Sequence, residues 1–275
     1  MSNKQKRHLP LPELGPGASL VDTHCHLDFP DYGADPTPVI RDAVRAGVGK
    51  IVTVGIDLPS SRRAVSLAEQ HRELSATVGV HPHHVAELDE PTYEALRQLA
   101  KHPSVVAYGE IGLDYAKQYA PVELQRQHCR AQLRLARELD LPVIIHDRDA
   151  HHDMLQLLVN EGPFPAGGVM HCFSGDQELA KRVIELGFYI SVPGVVTFPN
   201  AETLRTAIRA VPLERLVLET DGPFLAPVPW RGKRNLPHYV LYTAQKVAEL
   251  KGIELDELAR VTTANAHALF RLENR

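Results

Sequence analysis

Short apolar runs alternate with longer amphipathic segments from residue 20 almost to the end of the chain. Aliphatic and β-branched residues fill the short runs nearly without interruption, which is typical of strands that are covered on both faces. We predict eight strands, at Leu20–His24, Lys50–Val54, Ser75–Val80, Val105–Gly109, Pro142–His146, Gly168–Cys172, Phe188–Val192 and Leu216–Glu219.

The amphipathic segments between these runs predict helices. Several of them begin at a proline, which is tolerated in the first helical turn, and the longest carries an apolar stripe at helical spacing. We predict helices at Pro36–Ala46, Pro59–His71, Pro91–Lys101, Pro121–Leu139, Ala150–Asn160, Gln177–Leu186, Ala201–Ala210, Pro237–Leu250 and Leu255–Phe270.

This alternation predicts an α/β fold, a (β/α)8 TIM-like barrel, because eight strand–helix repeats over about 250 residues are typical of that fold. A doubly wound open sheet is the structural alternative, but no G-x-G-x-x-G motif follows the first strand. No linker or change in composition interrupts the pattern, so residues 19–275 are expected to form one domain. Residues 1–18, rich in proline, are expected to be a flexible tail.

Composition narrows the class of protein. Hydrophobic residues make up 44% of the 275 residues and charged residues 23%, as in ordinary soluble domains. A net charge of −4 argues against a uniformly basic, nonspecific nucleic-acid binder but allows a local basic patch. Three cysteines predict no disulfide framework and fit a reducing cytoplasm. No apolar run reaches the roughly 18 residues of a membrane helix, and no secretory signal is evident.

Histidines stand where the first predicted strand ends. Residues two apart in a strand point to the same side, so the imidazoles of His24 and His26 are expected to project into one space, while Cys25 faces away. Two imidazoles aimed at one point form half of a metal site. Such a pair taken alone also fits two polar residues in a surface turn, and the other strand ends decide between these interpretations.

Metal-binding residue types recur after the later strands. His81 follows the third strand, Glu110 the fourth, His146 ends the fifth, His171 lies in the sixth, and Asp221 follows the last. A barrel gathers the carboxyl ends of its strands at one face. We therefore expect these side chains to meet, although each of them alone could be a structural residue.

Four histidines and two carboxylates exceed the needs of one tetrahedral ion with an open position, but they suit two divalent ions that share a carboxylate. We assign them with Glu110 as the bridge: His24, His26 and Asp221 to one ion, and His146 and His171 to the other. Mg²⁺, Mn²⁺ and Zn²⁺ are all compatible with these ligands. A water activated between the ions would be the nucleophile, and Asp221 could accept its proton as general base.

The motifs around these residues resemble those of the TatD-type metal-dependent deoxyribonucleases, which belong to the amidohydrolase-like barrels. The resemblance extends from Leu20 to Phe270, with the motifs in family order. They are Asp22–Asp28 (DTHCHLD), Gly79–Pro82 (GVHP), Gly109–Asp114 (GEIGLD), Pro142–Arg148 (PVIIHDR), His171–Gly175 (HCFSG), Glu219–Pro223 (ETDGP) and Arg231–Pro237 (RGKRNLP).

The resemblance implies a two-metal site with the ligands assigned above, and we predict catalytic roles for Glu110 and Asp221. It also implies hydrolysis of phosphodiester bonds in DNA, from a 3′ end and on single strands. One departure is Gly222, where many members have serine or alanine, and this glycine is expected to loosen the loop beside Asp221.

Basic residues near the same face are candidates for binding phosphate. Arg148, Arg231 and Arg234 belong to loops expected on this face, and guanidinium groups match phosphate geometry. His81 is a further candidate for contact with substrate. Alternatively, residues 231–234 are a run of charged side chains that is exposed to solvent and binds no phosphate.

Three aromatic residues, Tyr115, Phe173 and Trp230, are candidates for stacking on an unpaired base or for packing within loops. Cys172, like Cys25, alternates with ligands and is expected to face the helices as a small core residue. The predicted metal site would equally serve an amidohydrolase, an esterase or lactonase, or an aminoacyl-tRNA deacylase. A non-catalytic binding protein would need a broken site, whereas all six ligand positions are filled.

Overall fold

Eight parallel strands pair in sequence order in one sheet and confirm the predicted (β/α)8 barrel. The computed structural model describes residues 10–272. The first and last strands meet and nearly close the ring: Thr23 Oγ1 donates to Leu218 O at 2.9 Å, and just beyond β8 the Asp221 N–H donates to His24 O at 2.9 Å. The strands are β1 Leu20–Cys25, β2 Val48–Val54, β3 Leu74–Val78, β4 Val105–Asp114, β5 Val143–Arg148, β6 Gly168–Met170, β7 Tyr189–Val192 and β8 Leu216–Leu218.

Helices follow the strands close to the predicted positions. Aspartates cap three of them: the side chains of Asp57, Asp89 and Asp176 each accept a hydrogen bond from a backbone N–H of the first turn. Within residues 10–272, no helix has the length and apolar character needed to span a membrane. The helices are α1 Thr37–Arg45, α2 Leu58–Gln70, α3 Glu90–Leu99, α4 Val122–Glu138, α5 His151–Glu161, α6 Gln177–Glu185, α7 Glu202–Ala210, α8 Val240–Lys251 and α9 Leu255–Phe270.

Strands β4 and β5 run further than the apolar pattern predicts, so Glu110 and His146 lie inside strands instead of at their ends. Gly112 pairs with His146 in the sheet. Its φ is +149°, and a Cβ atom at this position would overlap the carbonyl oxygen of His146. Because glycine permits this close approach, the two strands bring the side chains of Glu110 and His146 together.

The polar strand ends stand on an apolar base. Short β-branched side chains from six strands form one buried cluster with Phe270 of α9, and a larger cluster fills the space between strands and helices. Such packing leaves little freedom to the backbone that carries the polar residues. The strands therefore provide a rigid support for a site at their carboxyl ends.

The predicted N-terminal tail divides into two parts. Residues 1–9 lie outside the described residues. The remainder packs on the barrel: Leu11 and Leu14 contact the main core cluster, and the Gly15 N–H donates to Asp256 Oδ1 at 2.8 Å. The part of residues 1–18 that the structure describes is therefore packed rather than loose.

Candidate metal centre

Glu110 lies at the middle of a buried cluster of histidines and is 2% exposed. Its Oε1 atom is 2.7 Å from His146 Nδ1 and 3.1 Å from His171 Nε2. Its Oε2 atom is 3.4 Å from His24 Nε2 and 3.8 Å from His26 Nε2. One carboxylate thus faces four imidazoles, two from strands β1 and β5 and two from the residues just after β1 and β6, as expected for a bridging ligand.

His24 and His26 point their Nε2 atoms at one place, with these two nitrogens 3.3 Å apart. Asp221 Oδ1 lies 3.8 Å and 3.5 Å from the same two atoms. The buried Nδ1 atoms of both rings have no hydrogen-bond partner among the described residues. Two ring nitrogens and a carboxylate oxygen therefore converge on one point. A divalent cation fits this set of donor atoms.

Glu219 holds His171 from behind. Its carboxylate lies 3.1 Å from His171 Nδ1 and accepts a 2.8 Å hydrogen bond from the Cys172 N–H. A carboxylate at Nδ1 keeps a proton there, so Nε2 is the ring nitrogen that faces Glu110 and is left to bind a metal ion. The sequence prediction gave Glu219 no role, although an acidic residue directly after the last strand is a signal for this kind of partner.

Asp114 plays the matching part for His146. Its Oδ2 atom is 3.3 Å from His146 Nε2 and 2.8 Å from His83 Nε2, and Oδ1 accepts from the Lys117 N–H. With a carboxylate at Nε2, His146 presents Nδ1 to Glu110. Neither Asp114 nor His83 is predicted from the sequence as a partner of the site, although Asp114 ends the GEIGLD motif.

Electrostatics in the cluster favour ionised carboxylates. Burial opposes ionisation of Glu110, but the surrounding imidazoles, that of His171 foremost, outweigh it and hold the Glu110 pKa well below its ordinary value. Burial likewise opposes the charge of His171, but the carboxylates of Glu219 and Glu110 raise its pKa well above the usual range. The site therefore presents anionic oxygens at neutral pH, as divalent ions require.

His81 points a hydrogen-bond donor at the cluster. Its Nδ1 atom accepts a hydrogen bond from the His83 N–H at 3.1 Å, and burial lowers its pKa well below the usual value. A neutral imidazole that accepts at Nδ1 carries its proton on Nε2. That Nε2 atom lies 3.6 Å from Glu110 Oε1, so His81 presents a donor to the centre of the site.

The predictions for the two cysteines have opposite outcomes. Cys25 is fully buried in the core, as expected for a small packing residue. Cys172 adopts a left-handed conformation with φ +46° and lines the site cavity, so its expected position against the helices is wrong. The turn after β6 changes the alternation of side chains, and Cys172 lies close enough to His171 and Asp221 to belong to one group of metal-binding side chains.

The loop that carries Asp221 is firmly held. The Asn235 side-chain amide donates to the carbonyl oxygens of Thr220 and Phe224, each at 2.7 Å. Gly222 is buried, and a Cβ atom there would overlap the Tyr32 hydroxyl. The expectation that Gly222 loosens this loop is wrong, because the glycine allows Tyr32 to pack against it.

A cavity of about 670 Å³ opens above the cluster. Arg148 lines it. Arg231 instead lies over the ring of Phe198 at 4.4 Å, and Arg234 Nη1 donates to the carbonyl oxygen of Asp31. Neither Arg231 nor Arg234 is among the described residues that line the cavity. Of the three predicted arginines, Arg148 alone lines the cavity in the part of the chain that the structure describes, and phosphate binding by these residues stays a prediction.

The aromatic residues named in the sequence analysis pack inside loops. Phe173 is buried, Trp230 stacks on Tyr239 with ring centroids 5.3 Å apart, and the Tyr115 hydroxyl donates to Asp153. Three other rings line the cavity instead, those of Phe29, Tyr119 and Phe224. No local sequence signal distinguishes these two sets of aromatic residues.

A (β/α)8 barrel with a buried histidine–carboxylate cluster at the strand ends defines the class of metal-dependent hydrolases. The model of the TatD-related DNase family matches residues 21–271, and the chain belongs to this family. It is thus an enzyme that acts on ester bonds and uses divalent metal.

Relatives share almost the whole chain. A Bacillus subtilis protein described as an uncharacterized metal-dependent hydrolase, YabD, is 43% identical over 92% of this chain and 99% of its own. The Erwinia amylovora protein described as the 3′-5′ ssDNA/RNA exonuclease TatD is 37% identical over 92% of this chain and 100% of its own. The crystal structure of the Escherichia coli TatD homologue YjjV superimposes with a TM-score of 0.88 and 35% identity, over 92% of this chain and 98% of that one.

Proposed function

We propose that the protein is a metal-dependent 3′–5′ exonuclease that removes nucleotides from single-stranded DNA. The observation that carries this proposal is the depth of the cluster: Glu110 is 2% exposed at the bottom of a cavity lined by Arg148. An atom inside a stacked duplex cannot reach so buried a site, whereas an unpaired end can enter it. The name of the Erwinia relative supports the same activity.

The six clustered side chains divide between two ions in this proposal, with Glu110 shared. His24, His26 and Asp221 serve one ion, and His146 and His171 serve the other, with Glu219 and Asp114 fixing the tautomers of the latter two. Mg²⁺, Mn²⁺ and Zn²⁺ all suit such mixed nitrogen and oxygen donors. A divalent ion bound there supplies Lewis acidity toward a phosphate oxygen and lowers the pKa of water.

The remaining steps fall to groups of the chain. Asp221 directs Oδ1 toward His24 and His26, which leaves Oδ2 to accept a proton from the attacking water as the water oxygen bonds to phosphorus. The bond from phosphorus to the 3′-oxygen of the penultimate nucleotide breaks, and that oxygen takes the proton from Asp221. His81 donates its Nε2–H to a non-bridging phosphate oxygen. Arg148 binds the substrate backbone at the cavity wall, where a guanidinium pairs well with phosphate. Arg231 and Arg234 have no part at the reacting phosphate.

A single-stranded oligonucleotide with a 5′ label tests the proposal. With Mg²⁺ or Mn²⁺, the protein should produce a ladder that shortens from the 3′ end, and phosphorothioate linkages at that end should block it. EDTA and the Glu110→Gln substitution should both abolish the ladder. Equal degradation by wild type and Glu110→Gln would mean that the nuclease is a contaminant.

The same metal-defined preparation distinguishes the other hydrolase activities that this site allows. Carboxylate esters, lactones, amides and aminoacyl-tRNA are offered beside the oligonucleotide at equal concentration. The proposal requires the largest kcat/KM for the oligonucleotide. A larger kcat/KM for one of the carbonyl substrates would contradict the proposal and would identify hydrolysis of that substrate as the activity.

A further inference from the structure

Large apolar side chains are seldom exposed in this protein, and most of those that are exposed lie at one place. Among residues 10–272 they are Val44, Tyr119, Val159, Phe224 and Leu225. Tyr119, Phe224 and Leu225 all line the cavity above the metal centre. Tyr119 is 68% exposed and Phe224 48%. Exposed apolar surface gathered at a cavity indicates contact with a ligand.

The two exposed rings lie on different sides of the metal centre. Phe224 follows β8, and its ring centroid is 5.8 Å from that of Phe29 and 6.1 Å from that of His26. Tyr119 follows β4, and its ring centroid lies 4.7 Å from that of His83. Strands four places apart in a closed eight-stranded sheet face each other across the barrel. Phe224 lies beside His26, which faces Oε2 of Glu110, and Tyr119 lies beside His83, whose neighbour His146 faces Oε1. The rings therefore flank the cluster around Glu110 on different sides.

Rings placed in this way suit a ligand that has a flat apolar group on each side of a phosphate. An unpaired nucleic acid has this chemistry, because its bases expose π-faces on either side of every phosphodiester bond. A sugar phosphate or an alkyl phosphodiester has no such faces. Exposed rings also gain most from stacking when a base covers them, since they are still in contact with water.

We propose that Phe224 and Tyr119 each stack on one of the two bases that flank the scissile phosphodiester. The substrate is then an unpaired strand with a base at both the terminal and the penultimate position, and the rings, rather than Arg231 or Arg234, determine this selectivity. This inference rests on the exonuclease activity proposed above. It adds a base-binding subsite on each wall of the cavity.

Oligonucleotides with one abasic residue test the two subsites. Loss of the base at either position should lower kcat/KM of the wild-type enzyme by about 10-fold, the scale of one base–aromatic stack. Phe224→Ala and Tyr119→Ala should each lower kcat/KM on the intact strand by a similar factor. Each variant should also become insensitive to one abasic position, and the two variants to different positions.

Conservative variants and a distant substitution serve as controls. Phe224→Tyr and Tyr119→Phe keep a ring and should discriminate against both abasic strands as the wild type does. Val159→Ala removes an exposed apolar side chain far from the cavity, on α5, and should change nothing. Bound metal should be equal in all of these proteins.

The outcomes separate this inference from the proposed function. If wild-type enzyme shortens the strand but both alanine variants keep full sensitivity to both abasic positions, the subsites are wrong and the exonuclease stands. If an alanine variant slows equally on intact and abasic strands, its role is structural and stacking is wrong. If wild-type enzyme does not shorten the intact strand, the proposed function fails and the subsites fail with it.

Discussion

The floor and the rim of the cavity are built differently. We define the floor as the metal-binding side chains His24, His26, Glu110, His146, His171 and Asp221, and the rim as Arg148, Phe29, Tyr119 and Phe224. Floor residues stand within strands or at most three positions beyond one. The rim side chains stand mostly on the connecting loops and include the exposed rings. Strand pairing thus determines the floor, and loop packing determines the rim.

This difference predicts how each region responds to substitution. Floor side chains depend on one another, because each buried charge is balanced by its neighbours, and loss of one leaves the others uncompensated. A rim side chain contributes only its own contact with substrate. Substitutions in the floor should therefore remove metal and activity together, whereas substitutions in the rim should change substrate affinity and leave the metal in place.

Glu110→Gln should have the largest effect. Both oxygens of Glu110 face imidazoles, and a neutral amide cannot bridge two cations. We expect a loss of kcat of roughly 1000-fold or more, since metal chemistry supplies several kcal/mol of stabilisation in the transition state. Single-turnover hydrolysis of a labelled oligonucleotide measures this, with a thermal melt to verify folding. A folded variant that keeps a tenth of the wild-type rate would show that Glu110 is not the bridge.

Glu219→Gln should have the second largest effect, because it weakens metal binding in the floor indirectly. The charge of Glu219 fixes the tautomer of His171, and loss of such a partner typically lowers metal affinity or activity by about 10- to 100-fold. Excess metal should restore part of the rate, and a metal titration of activity measures the shift. The exposed Glu214→Gln is the matched control. A rate loss that no metal concentration changes would contradict the orienting role.

Arg148→Ala should affect the rim alone. A charge-assisted hydrogen bond to phosphate contributes about 1.5 kcal/mol or more, so kcat/KM on oligonucleotides should fall by about 10-fold, mainly through KM. Arg148→Lys keeps the charge and should recover part of this loss. Steady-state kinetics at constant ionic strength measures both values. A lower kcat with unchanged KM would mean that Arg148 acts in the hydrolysis step, and it would contradict the division between floor and rim.

Arg234→Ala should have the smallest effect. Arg234 is exposed, like Arg148, but it contacts the Asp31 carbonyl oxygen instead of lining the cavity. We expect a change in KM of less than about 3-fold, the range of an exposed side chain whose contacts are local. The pair of variants compares two arginines that differ mainly in position. A larger effect for Arg234 than for Arg148 would mean that substrate crosses the loop at residues 231–234.

The residues of the floor can be predicted from the sequence better than those of the rim. Apolar runs locate strands, and a barrel brings their ends together, so the floor residues could be named before the structure was known. The extension of β4 beyond Gly109 was missed because it needs the contact between Gly112 and His146. Asp114 and Glu219 were missed as partners because their roles depend on contacts across the sheet.

Rim positions follow from contacts between distant loops, which no local pattern contains. Trp230 turns toward Tyr239 and Arg231 toward Phe198, while Tyr119 and Phe224 remain exposed. All of these are aromatic or basic residues in loops at the same face. Only tertiary packing determines which of them reach the cavity.

Metal content tests the division between floor and rim most directly. Wild-type protein, Glu110→Gln and Arg148→Ala are loaded with Mn²⁺, dialysed together and analysed for bound metal by mass spectrometry. We predict about two ions per chain in the wild type and in Arg148→Ala, and fewer than about one in Glu110→Gln. Full metal content in Glu110→Gln, or loss of metal in Arg148→Ala, would contradict a metal centre built from the strand ends.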